Sequence, residues 1–381
     1  MCRLVAFLCR QTANYCSIWG QDHIIIQLHD KLKQSKFRIF ACFLRYLTFM
    51  ALKSSAVITG IGGYVPDNIL TNSDLEKMVE TNSDWIVSRT GIRERRILAD
   101  RTLATSDMAA FAVKNLLENA KVDPSEIDCV IVATSTPDYL LISTASIVCD
   151  KCGLSNAWAS DVNAACSGFL YAFTLGSSLV ESNRYKKVIV IGADQNSAIV
   201  NYADRNTCIL FGDGAGAVLL EPSTEDIGVI DSVFKTDGHG REHLYVPGGG
   251  SMNPASEETI DGKLHYIRQD GRVVFKAAIK GMTESCTSIL KRNDLTIDDI
   301  NWLIPHQANY RIIHAVGDAL GLPESRVKIN IDRYGNTTAA TIPLALWDFK
   351  EDFKENDNLI LTAFGAGFSW GATYLKWGKL R

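Results

Sequence analysis

The chain has 381 residues, of which 46% are hydrophobic and 22% are charged, and its formal net charge is −4. This length allows a large core, built from two domains or from one duplicated domain. The slight acidity gives no reason to expect a nucleic acid partner, and no apolar run reaches the length of a membrane span. Ten scattered cysteines indicate a reducing cytoplasm rather than a disulfide scaffold.

Residues 1–49 differ in composition from the rest of the chain. They are rich in Lys and Arg, contain only two acidic residues, and have short, broken apolar runs. A secretory signal is not expected, because no clean apolar run is followed by a small-residue cleavage site. We interpret residues 1–49 as an extension outside the folded domains, with Met50 as the genuine start. An organelle transit peptide is the alternative.

From residue 54 onward, predicted strands alternate with predicted helices, which is typical of an α/β protein. In the first half, residues 54–222, the predicted strands and helices follow one another in a definite order. They are a strand at 55–60, a helix at 104–120, a buried strand at 127–133, a helix ending at 154, a strand to 163, a helix from Cys166, a strand at 187–192 and a closing Gly-rich run at 211–220.

The second half, residues 227–381, repeats that order. The matching segments are 228–233, 273–291, 300–306, a helix ending at 322, a strand at 327–331, a helix from Asn336 to 346, a strand at 358–363 and a Gly-rich run at 364–372. The repeat predicts a duplicated architecture in which Cys166 and Asn336 hold equivalent positions. Both would lie at the carboxyl ends of strands, where α/β sheets bind ligands.

Cys166 is the residue best placed for covalent chemistry. It follows a short strand pattern and begins an apolar helical pattern, so its sulfur would face the unpaired N–H groups of a helix N-terminus. Those groups and the helix dipole favour the thiolate, which is the reactive form. The alternative is a small buried apolar residue, which a free cysteine most often is.

His306 ends a predicted buried strand, and Asn336 begins a predicted helix. Taken alone, His306 fits a hydrogen-bonded core residue and Asn336 fits a helix N-cap. Together with Cys166 they form a chemically consistent set. A cysteine accepts an acyl group from a thioester, while neutral His and Asn side chains donate hydrogen bonds to a developing enolate oxygen.

Three segments around these residues resemble β-ketoacyl-[acyl-carrier-protein] synthase III, the thiolase-fold enzyme that starts type II fatty acid synthesis. They are NAACSG at 163–168, IPHQAN at 304–309 and YGNTTAA at 334–340, and the similarity runs from about Val57 to the C-terminus, including residues 84–95. The Cys-His-Asn set separates the chain from elongating synthases, which use Cys-His-His, and from thiolases, which have a second Cys. The resemblance implies a duplicated five-layer αβαβα thiolase fold and a homodimer.

The resemblance also implies roles for individual residues. Cys166 would be the acylated nucleophile, with His306 and Asn336 assisting malonyl decarboxylation and condensation. Backbone N–H groups of Cys166 and of the turn at Ala366 and Gly367 would form an oxyanion hole. Coenzyme A would bind at Trp85, Arg89 and Arg205, and the carrier protein would dock at Gln307, Ala308, Asn309, Tyr310 and Arg311.

The residues themselves leave simpler interpretations open for these contacts. Trp85 and Arg89 are four apart and share a helix face, which suits an adenine and a phosphate but also an ordinary amphipathic helix. Arg311 would attract an acidic carrier protein or serve as a plain surface charge. Leu141 stands next to the primer pocket, across the implied dimer interface, where relatives commonly have Phe. The primer chain therefore stays undetermined.

Two weaker motifs are set aside. Cys149 and Cys152 have the spacing of a redox or zinc pair, but no second pair accompanies them. The run Gly212–Gly216 resembles a dinucleotide-binding loop, yet it leads into a strand pattern, whereas a phosphate-binding turn must open a helix.

The expected function is the condensation of acyl-coenzyme A with malonyl-acyl-carrier-protein, through an acyl-Cys166 intermediate. The products are 3-oxoacyl-acyl-carrier-protein, coenzyme A and carbon dioxide. No cofactor and no metal is expected, because the coenzyme A thioester is a substrate and decarboxylation generates the nucleophile. No membrane partner is expected, and the location is cytoplasmic. A Cys-His-Asn ketosynthase of secondary metabolism and a non-catalytic acyl-thioester-binding protein remain alternatives.

Overall fold

The computed structural model describes residues 55–381. The interpretations of residues 1–49 and of a start at Met50 lie outside the described residues. Within residues 55–381, no helix combines the length and the apolar character needed to cross a membrane.

The first half of the described chain alternates strands with helices. In chain order these are β1 (Ser55–Tyr64), β2 (Ile69–Thr71), α1 (Asn72–Leu75), α2 (Ser83–Thr90), β3 (Glu94–Arg96), α3 (Thr105–Ala120), β4 (Cys129–Ala133), α4 (Thr144–Cys152), β5 (Trp158–Val162), α5 (Gly168–Glu181), β6 (Val188–Gln195), α6 (Arg205–Cys208) and β7 (Asp213–Ser223).

The second half follows directly. Its elements are β8 (Gly228–Thr236), β9 (Leu244–Tyr245), α7 (Glu257–Asp261), β10 (Arg268–Gln269), α8 (Gly271–Arg292), β11 (Trp302–Pro305), α9 (Tyr310–Leu320), α10 (Ile331–Tyr334), α11 (Thr341–Phe349), β12 (Asn358–Gly365) and β13 (Ser369–Lys376).

The four strands of the second large sheet repeat the order and directions of four of the five strands of the first, and β5 has no counterpart. The first runs β1-β7-β6-β4-β5, with β4 parallel to both β5 and β6, and with β7 antiparallel to its two neighbours. The second runs β8-β13-β12-β11, with β11 parallel to β12 and with β13 antiparallel to its two neighbours. The division into halves at 54–222 and 227–381 stays a prediction.

Helices form three layers around the two sheets. Helices α5 and α11 contact strands of both sheets, whereas α3 and α4 cover the other face of the first sheet and α8 and α9 lie on the other face of the second. Alternation along the strands explains this arrangement: Cys129 and Ile131 of β4 face the central core, while Val130 and Val132 face α3 and α4. The result is the five-layer αβαβα order of the thiolase fold.

Two local expectations differ from the structure. The predicted strand at 327–331 is reduced to a single bridge between Val327 and Leu303, and Ile331 already begins α10. The short α10 returns the chain toward the first half, where its Asp332 carbonyl accepts the Arg93 N–H at 3.0 Å. Asn336 does not open a regular α-helix, because a 3₁₀ turn, Thr338–Ala340, comes before α11.

Candidate active site

Cys166 lies between strand β5 of the first sheet and helix α5 of the central helix layer. Strand β5 ends at Val162, and a 3₁₀ turn, Ala165–Ser167, leads into α5. The end of β12 packs directly against this turn, since a Cβ added at Gly365 would lie 2.9 Å from the backbone nitrogens of Cys166 and Ser167. Only glycine permits this approach, which brings a strand of the second half against the cysteine.

The protonation state of Cys166 differs from the sequence expectation. Burial raises the pKa of the Cys166 thiol to about 12, and the nearby carboxylate of Asp194 adds to the rise. A hydrogen bond from the backbone N–H of Cys166 lowers the pKa, but by less than burial raises it. Burial of the sulfur therefore opposes the effect expected of the helix N-terminus and favours the thiol over the expected thiolate.

His306 follows the last residue of β11 and is buried. Its Nδ1 lies 2.7 Å from the Thr341 Oγ1, at the first residue of α11. Burial lowers the pKa of His306 to about 3, so the ring is neutral throughout the physiological range. The sequence expectation of a neutral imidazole agrees with this finding.

Asn336 is held from both sides by backbone hydrogen bonds. Its N–H donates to the Leu210 carbonyl at 2.9 Å, and its carbonyl accepts the Gly212 N–H at 3.1 Å. Its side-chain Oδ1 accepts the Thr338 N–H at 2.9 Å. Because the oxygen is engaged in its own turn, the amide NH₂ is the group that Asn336 can offer to a ligand. Among residues 55–381, that NH₂ has no hydrogen-bond partner.

The structure brings the three predicted residues into one cavity of about 540 Å³. Cys166 comes from the first half, whereas His306 and Asn336 come from the second. Most of the other lining side chains are apolar, and they include Leu210, Phe211, Leu244, Val274, Phe275, Ala278, Ile312 and Phe364. The remaining polar lining residues are Asn206, Gln269, Asp270 and Asn309. A cavity with one thiol, several neutral polar groups and a largely apolar wall suits an acyl thioester.

Two protein-family models and several known proteins match this chain. The description 3-oxoacyl-[acyl-carrier-protein] synthase III fits residues 160–238, and its C-terminal counterpart fits residues 290–377. β-Ketoacyl-[acyl-carrier-protein] synthase III 2 of Bacteroides thetaiotaomicron is 54% identical over 326 residues, covering 86% of this chain and 97% of that protein. The corresponding protein of Phocaeicola vulgatus is also 54% identical over 326 residues, with 86% and 98% covered.

The fold agrees with these sequence matches. The crystal structure of 3-oxoacyl-[acyl-carrier-protein] synthase III from Aquifex aeolicus superposes with a TM-score of 0.78 at 40% identity, covering 84% of this chain and all of that one. The chain belongs to the β-ketoacyl-[acyl-carrier-protein] synthase III family. It is an acyl-transferring condensing enzyme with the thiolase fold, as the resemblance implied.

A second cavity of the synthase, about 580 Å³, adjoins the first and shares Gly271, Phe275 and Asn309 with it. Its charged lining side chains are all basic: Arg89, Arg272, Lys276 and Arg311. Trp85 also lines it and is flanked by two guanidinium groups, with the Arg205 Cζ 5.0 Å and the Arg89 Cζ 6.0 Å from its ring centroid. The structure thus brings together the three residues expected to bind coenzyme A.

The expected carrier-docking segment divides into a buried and an exposed part. Gln307 is buried, and its amide group is used within the chain: Nε2 donates to the Pro305 and Lys328 carbonyls at 2.7 and 3.1 Å, and Oε1 accepts the Asn330 N–H at 3.1 Å. These contacts leave the Gln307 side chain little surface to offer a carrier protein, and its part in docking is not supported by the structure. Its polar side chain satisfies backbone groups instead.

The other four docking candidates of the synthase lie nearer the surface. Ala308 and Asn309 line the first cavity, and Asn309 also lines the second. The Tyr310 hydroxyl donates to Glu324 at 2.8 Å, and Arg311 is exposed beside the Phe275 ring. These residues stay candidates for docking.

Hydrogen bonds join the Gly-rich turn after β12 to the segment that contains Cys166. The Ser369 hydroxyl lies 3.1 Å from the Ala366 carbonyl and 3.2 Å from the Ala164 carbonyl, and the Ser167 hydroxyl donates to the Ser369 carbonyl at 2.8 Å. These contacts hold the backbone of the turn near Cys166. Ala366 and Gly367 are not among the residues that line the cavity, so their part in an oxyanion hole stays a prediction.

Leu141 is not brought to the cavity of its own chain. It is 95% exposed, and Leu140 beside it is 91% exposed, on the loop between β4 and α4. A contact with a primer therefore requires a second copy of the chain.

Sequence reasoning missed three residues around the site. Arg272 and Lys276 of α8 line the basic cavity. These two residues and Lys280 are spaced four apart, a pattern that predicts one basic face on the helix. Thr341 contacts His306, and nothing in the sequence indicated that contact. The two residues are 35 positions apart and meet only through the fold.

Proposed function

We propose that this enzyme starts fatty acid synthesis by condensing an acyl-coenzyme A with malonyl-acyl-carrier-protein, through an acyl group held on Cys166. The observation that supports this most directly is the single cavity lined by Cys166, His306 and Asn336. Its residues come from both halves of a chain that is 54% identical to β-ketoacyl-[acyl-carrier-protein] synthases III.

The first half-reaction transfers the acyl group to sulfur. The Cys166 sulfur attacks the thioester carbonyl and gives up its proton. The bond from the carbonyl carbon to the coenzyme A sulfur breaks, and that sulfur takes up a proton in exchange, so coenzyme A departs as a thiol. Because burial raises the pKa of the Cys166 thiol, the reactive thiolate is the minor form near neutral pH. Backbone N–H groups near Cys166, together with the turn at Ala366 and Gly367, would hold the oxyanion.

The second half-reaction forms the carbon–carbon bond. Malonyl-acyl-carrier-protein loses carbon dioxide, and the electron pair left behind forms an enolate of the carrier thioester. The His306 Nε2 and the Asn336 amide NH₂ donate hydrogen bonds to the enolate oxygen. The enolate carbon attacks the acyl carbonyl, and the bond from that carbonyl carbon to the Cys166 sulfur breaks. The sulfur keeps the electron pair and takes up a proton from solvent, and 3-oxoacyl-acyl-carrier-protein leaves. Neither a cofactor nor a metal is proposed, because decarboxylation supplies the nucleophile.

Both substrates would enter past the basic cavity. The Trp85 ring and the two guanidinium groups near it would hold the adenine and phosphates of coenzyme A. Arg272, Lys276 and Arg311 would attract the acidic carrier protein that delivers malonate on its phosphopantetheine arm.

A homodimer is proposed from the exposed edge of the first sheet. Strand β5 ends that sheet, and Trp158 at its start is 42% exposed. The neighbouring loop presents Leu140 and Leu141 to solvent in the single chain, and exposed leucines of this kind mark an interaction site. Leu141 would reach the primer pocket of the second copy.

A cytoplasmic location is proposed from the cysteines. Six cysteines in residues 55–381 are unpaired, and such thiols persist in a reducing compartment. Neither a nucleic acid nor a membrane is proposed as a partner.

The acylated cysteine can be tested by mass spectrometry of the intact protein after exposure to mixed acyl-coenzyme A species. The adduct is expected on Cys166, and Cys166→Ala should carry none. Cys149→Ala is the matched control, since Cys149 is half-buried on α4 and outside both cavities, and it should load like the wild type. Loading of Cys166→Ala at the wild-type level would refute the assignment. A comparison of malonyl-carrier-protein with malonyl-coenzyme A as extender would expose a synthase of secondary metabolism.

A further inference from the structure

One turn of the chain contacts both His306 and Asn336. The Thr338 N–H donates to the Asn336 Oδ1 at 2.9 Å, and the Thr341 Oγ1 lies 2.7 Å from the His306 Nδ1. In each case the contacted atom is the one that does not serve the proposed reaction. The turn therefore determines which atom of each side chain is left to face a ligand.

The position of one proton decides what His306 can do. A hydroxyl has a single proton, and the Thr341 Oγ1 has two acceptors within reach: the His306 Nδ1 at 2.7 Å and the Thr338 carbonyl at 3.1 Å. If the proton is on the carbonyl side, the Nδ1 must carry its own proton and the Nε2 has a lone pair. If the proton is given to the Nδ1, the Nε2 carries the ring proton and becomes a donor.

The contacts favour the second arrangement. The Nδ1 contact is the shorter of the two, and the Thr338 carbonyl already accepts the backbone N–H of Thr341. Within residues 55–381, Thr341 is the only hydrogen-bond partner of the His306 ring. The carbonyl therefore does not need the hydroxyl proton, whereas an unprotonated Nδ1 would be an unsatisfied buried acceptor without it.

We propose that Thr341 is a positioning residue that fixes the tautomer of His306, by donating its hydroxyl proton to the Nδ1 and leaving the proton on the Nε2. This inference rests on the proposed function for its consequence, because a donor at the Nε2 serves an enolate oxygen and does not serve as a base for Cys166. Thr341 touches neither substrate nor the reacting atoms; it acts through His306.

The tautomer can be read without any substrate. The protein labelled with ¹⁵N in its histidines gives two ring-nitrogen resonances for His306, which are assigned by their loss in His306→Ala. The Nδ1 is expected at the shift of an unprotonated nitrogen, and the Nε2 at that of a protonated one. A protonated Nδ1 in the wild type would overturn the proposal.

The consequence is tested with Thr341→Val, which has nearly the same shape and no hydroxyl. Transfer of the acyl group to Cys166 should stay within about twofold of the wild type, while discharge by malonyl-carrier-protein should slow about 10- to 100-fold. Thr341→Ser restores a hydroxyl and should recover most of the discharge rate. Thr287→Val is the control, since the Thr287 hydroxyl donates only to the Thr283 carbonyl on an exposed face of α8.

The outcomes separate the two proposals. A Thr341→Val protein that discharges at the wild-type rate, or that Thr341→Ser does not rescue, would overturn the role of Thr341 and leave the proposed function intact. A wild-type protein that never acquires an acyl group on Cys166 would overturn the proposed function, while the ring-nitrogen spectrum would still show whether Thr341 sets the tautomer. If Thr341→Val does not fold, the wild-type spectrum and Thr341→Ser still decide.

Discussion

The carboxylate of Asp194, near the end of β6, accepts the backbone N–H of Ala339 at 2.9 Å and so joins the first half of the molecule to the turn that follows Asn336. The same carboxylate accepts hydrogen bonds from the Ser135 N–H at 2.7 Å and from the hydroxyls of Thr134, Thr136 and Thr338. Asp194 is buried, and that burial raises its pKa despite these donors. A fully bonded buried acid of this kind holds its surroundings in one arrangement.

Replacing the carboxylate with an amide tests this connection. In Asp194→Asn, an NH₂ group must face donors that now point at a carboxylate oxygen, so the free energy of unfolding should fall by about 1–3 kcal/mol. The rate of condensation should fall as well, because the Asn336 turn loses its anchor. Urea denaturation measures the first effect. Asp150→Asn, on the exposed surface of α4, is the control, and equal stability of the two variants would contradict the assigned role of Asp194.

The raised pKa of Cys166 makes a prediction about pH. Since the thiolate is the reactive form and the pKa is about 12, alkylation by iodoacetamide should speed up about tenfold for each pH unit between 7 and 9. The measurement is the rate of Cys166 labelling, followed by peptide mass spectrometry. A rate that is already constant from pH 6 upward would mean that the helix N-terminus outweighs burial and that the sulfur rests as a thiolate.

The basic face of α8 should govern use of the carrier protein but not acyl transfer from small thioesters. Lys276→Glu replaces an attracting charge with a repelling one, so the KM for malonyl-carrier-protein should rise roughly 5- to 20-fold, and the rise should shrink with added salt. Acetyl transfer to Cys166 should change less. Lys291→Glu, exposed at the far end of the same helix, is the control. Equal effects of the two variants would refute a localised docking surface.

The exposed loop between β4 and α4 predicts a change in primer choice. If Leu141 reaches the pocket of a second copy, Leu141→Phe fills space there and should lower the use of longer or branched acyl-coenzyme A relative to acetyl-coenzyme A by roughly tenfold. The ratio of kcat/KM values measures this. Met252→Phe, at an equally exposed site on another loop, should leave the ratio unchanged. An unchanged ratio in Leu141→Phe would remove Leu141 from the pocket.

The sequence predicted the parts of the fold that depend on local pattern. Apolar runs predicted β4, β6, β11 and β12, and the repeated order of elements predicted that Cys166 and Asn336 hold equivalent positions; both line one cavity. The strand expected at 327–331 is a single bridge, because the chain turns away into α10 after Asn330. Strand pairing depends on partners far along the chain, and propensity does not contain that information.

Properties that depend on burial could not be predicted from the sequence. The helix N-terminus at Cys166 could be predicted from the sequence, but the burial that raises the pKa of its thiol could not. Gln307 looked like part of a surface segment, and only the structure shows its amide bonded to two backbone carbonyls. Thr341 meets His306 through the packing of α11 against the end of β11, which no local spacing predicts.

The most direct test of the three-residue cavity is a pulse and chase on intact protein. Wild type, His306→Ala and Asn336→Ala are loaded with an acyl-coenzyme A, separated from it, and then given malonyl-carrier-protein, with the acyl adduct on Cys166 followed by mass. All three should load, and the two alanine variants should lose the adduct about 100-fold more slowly than the wild type or slower still. Discharge at the wild-type rate from either variant would show that His306 and Asn336 do not act together on the second substrate.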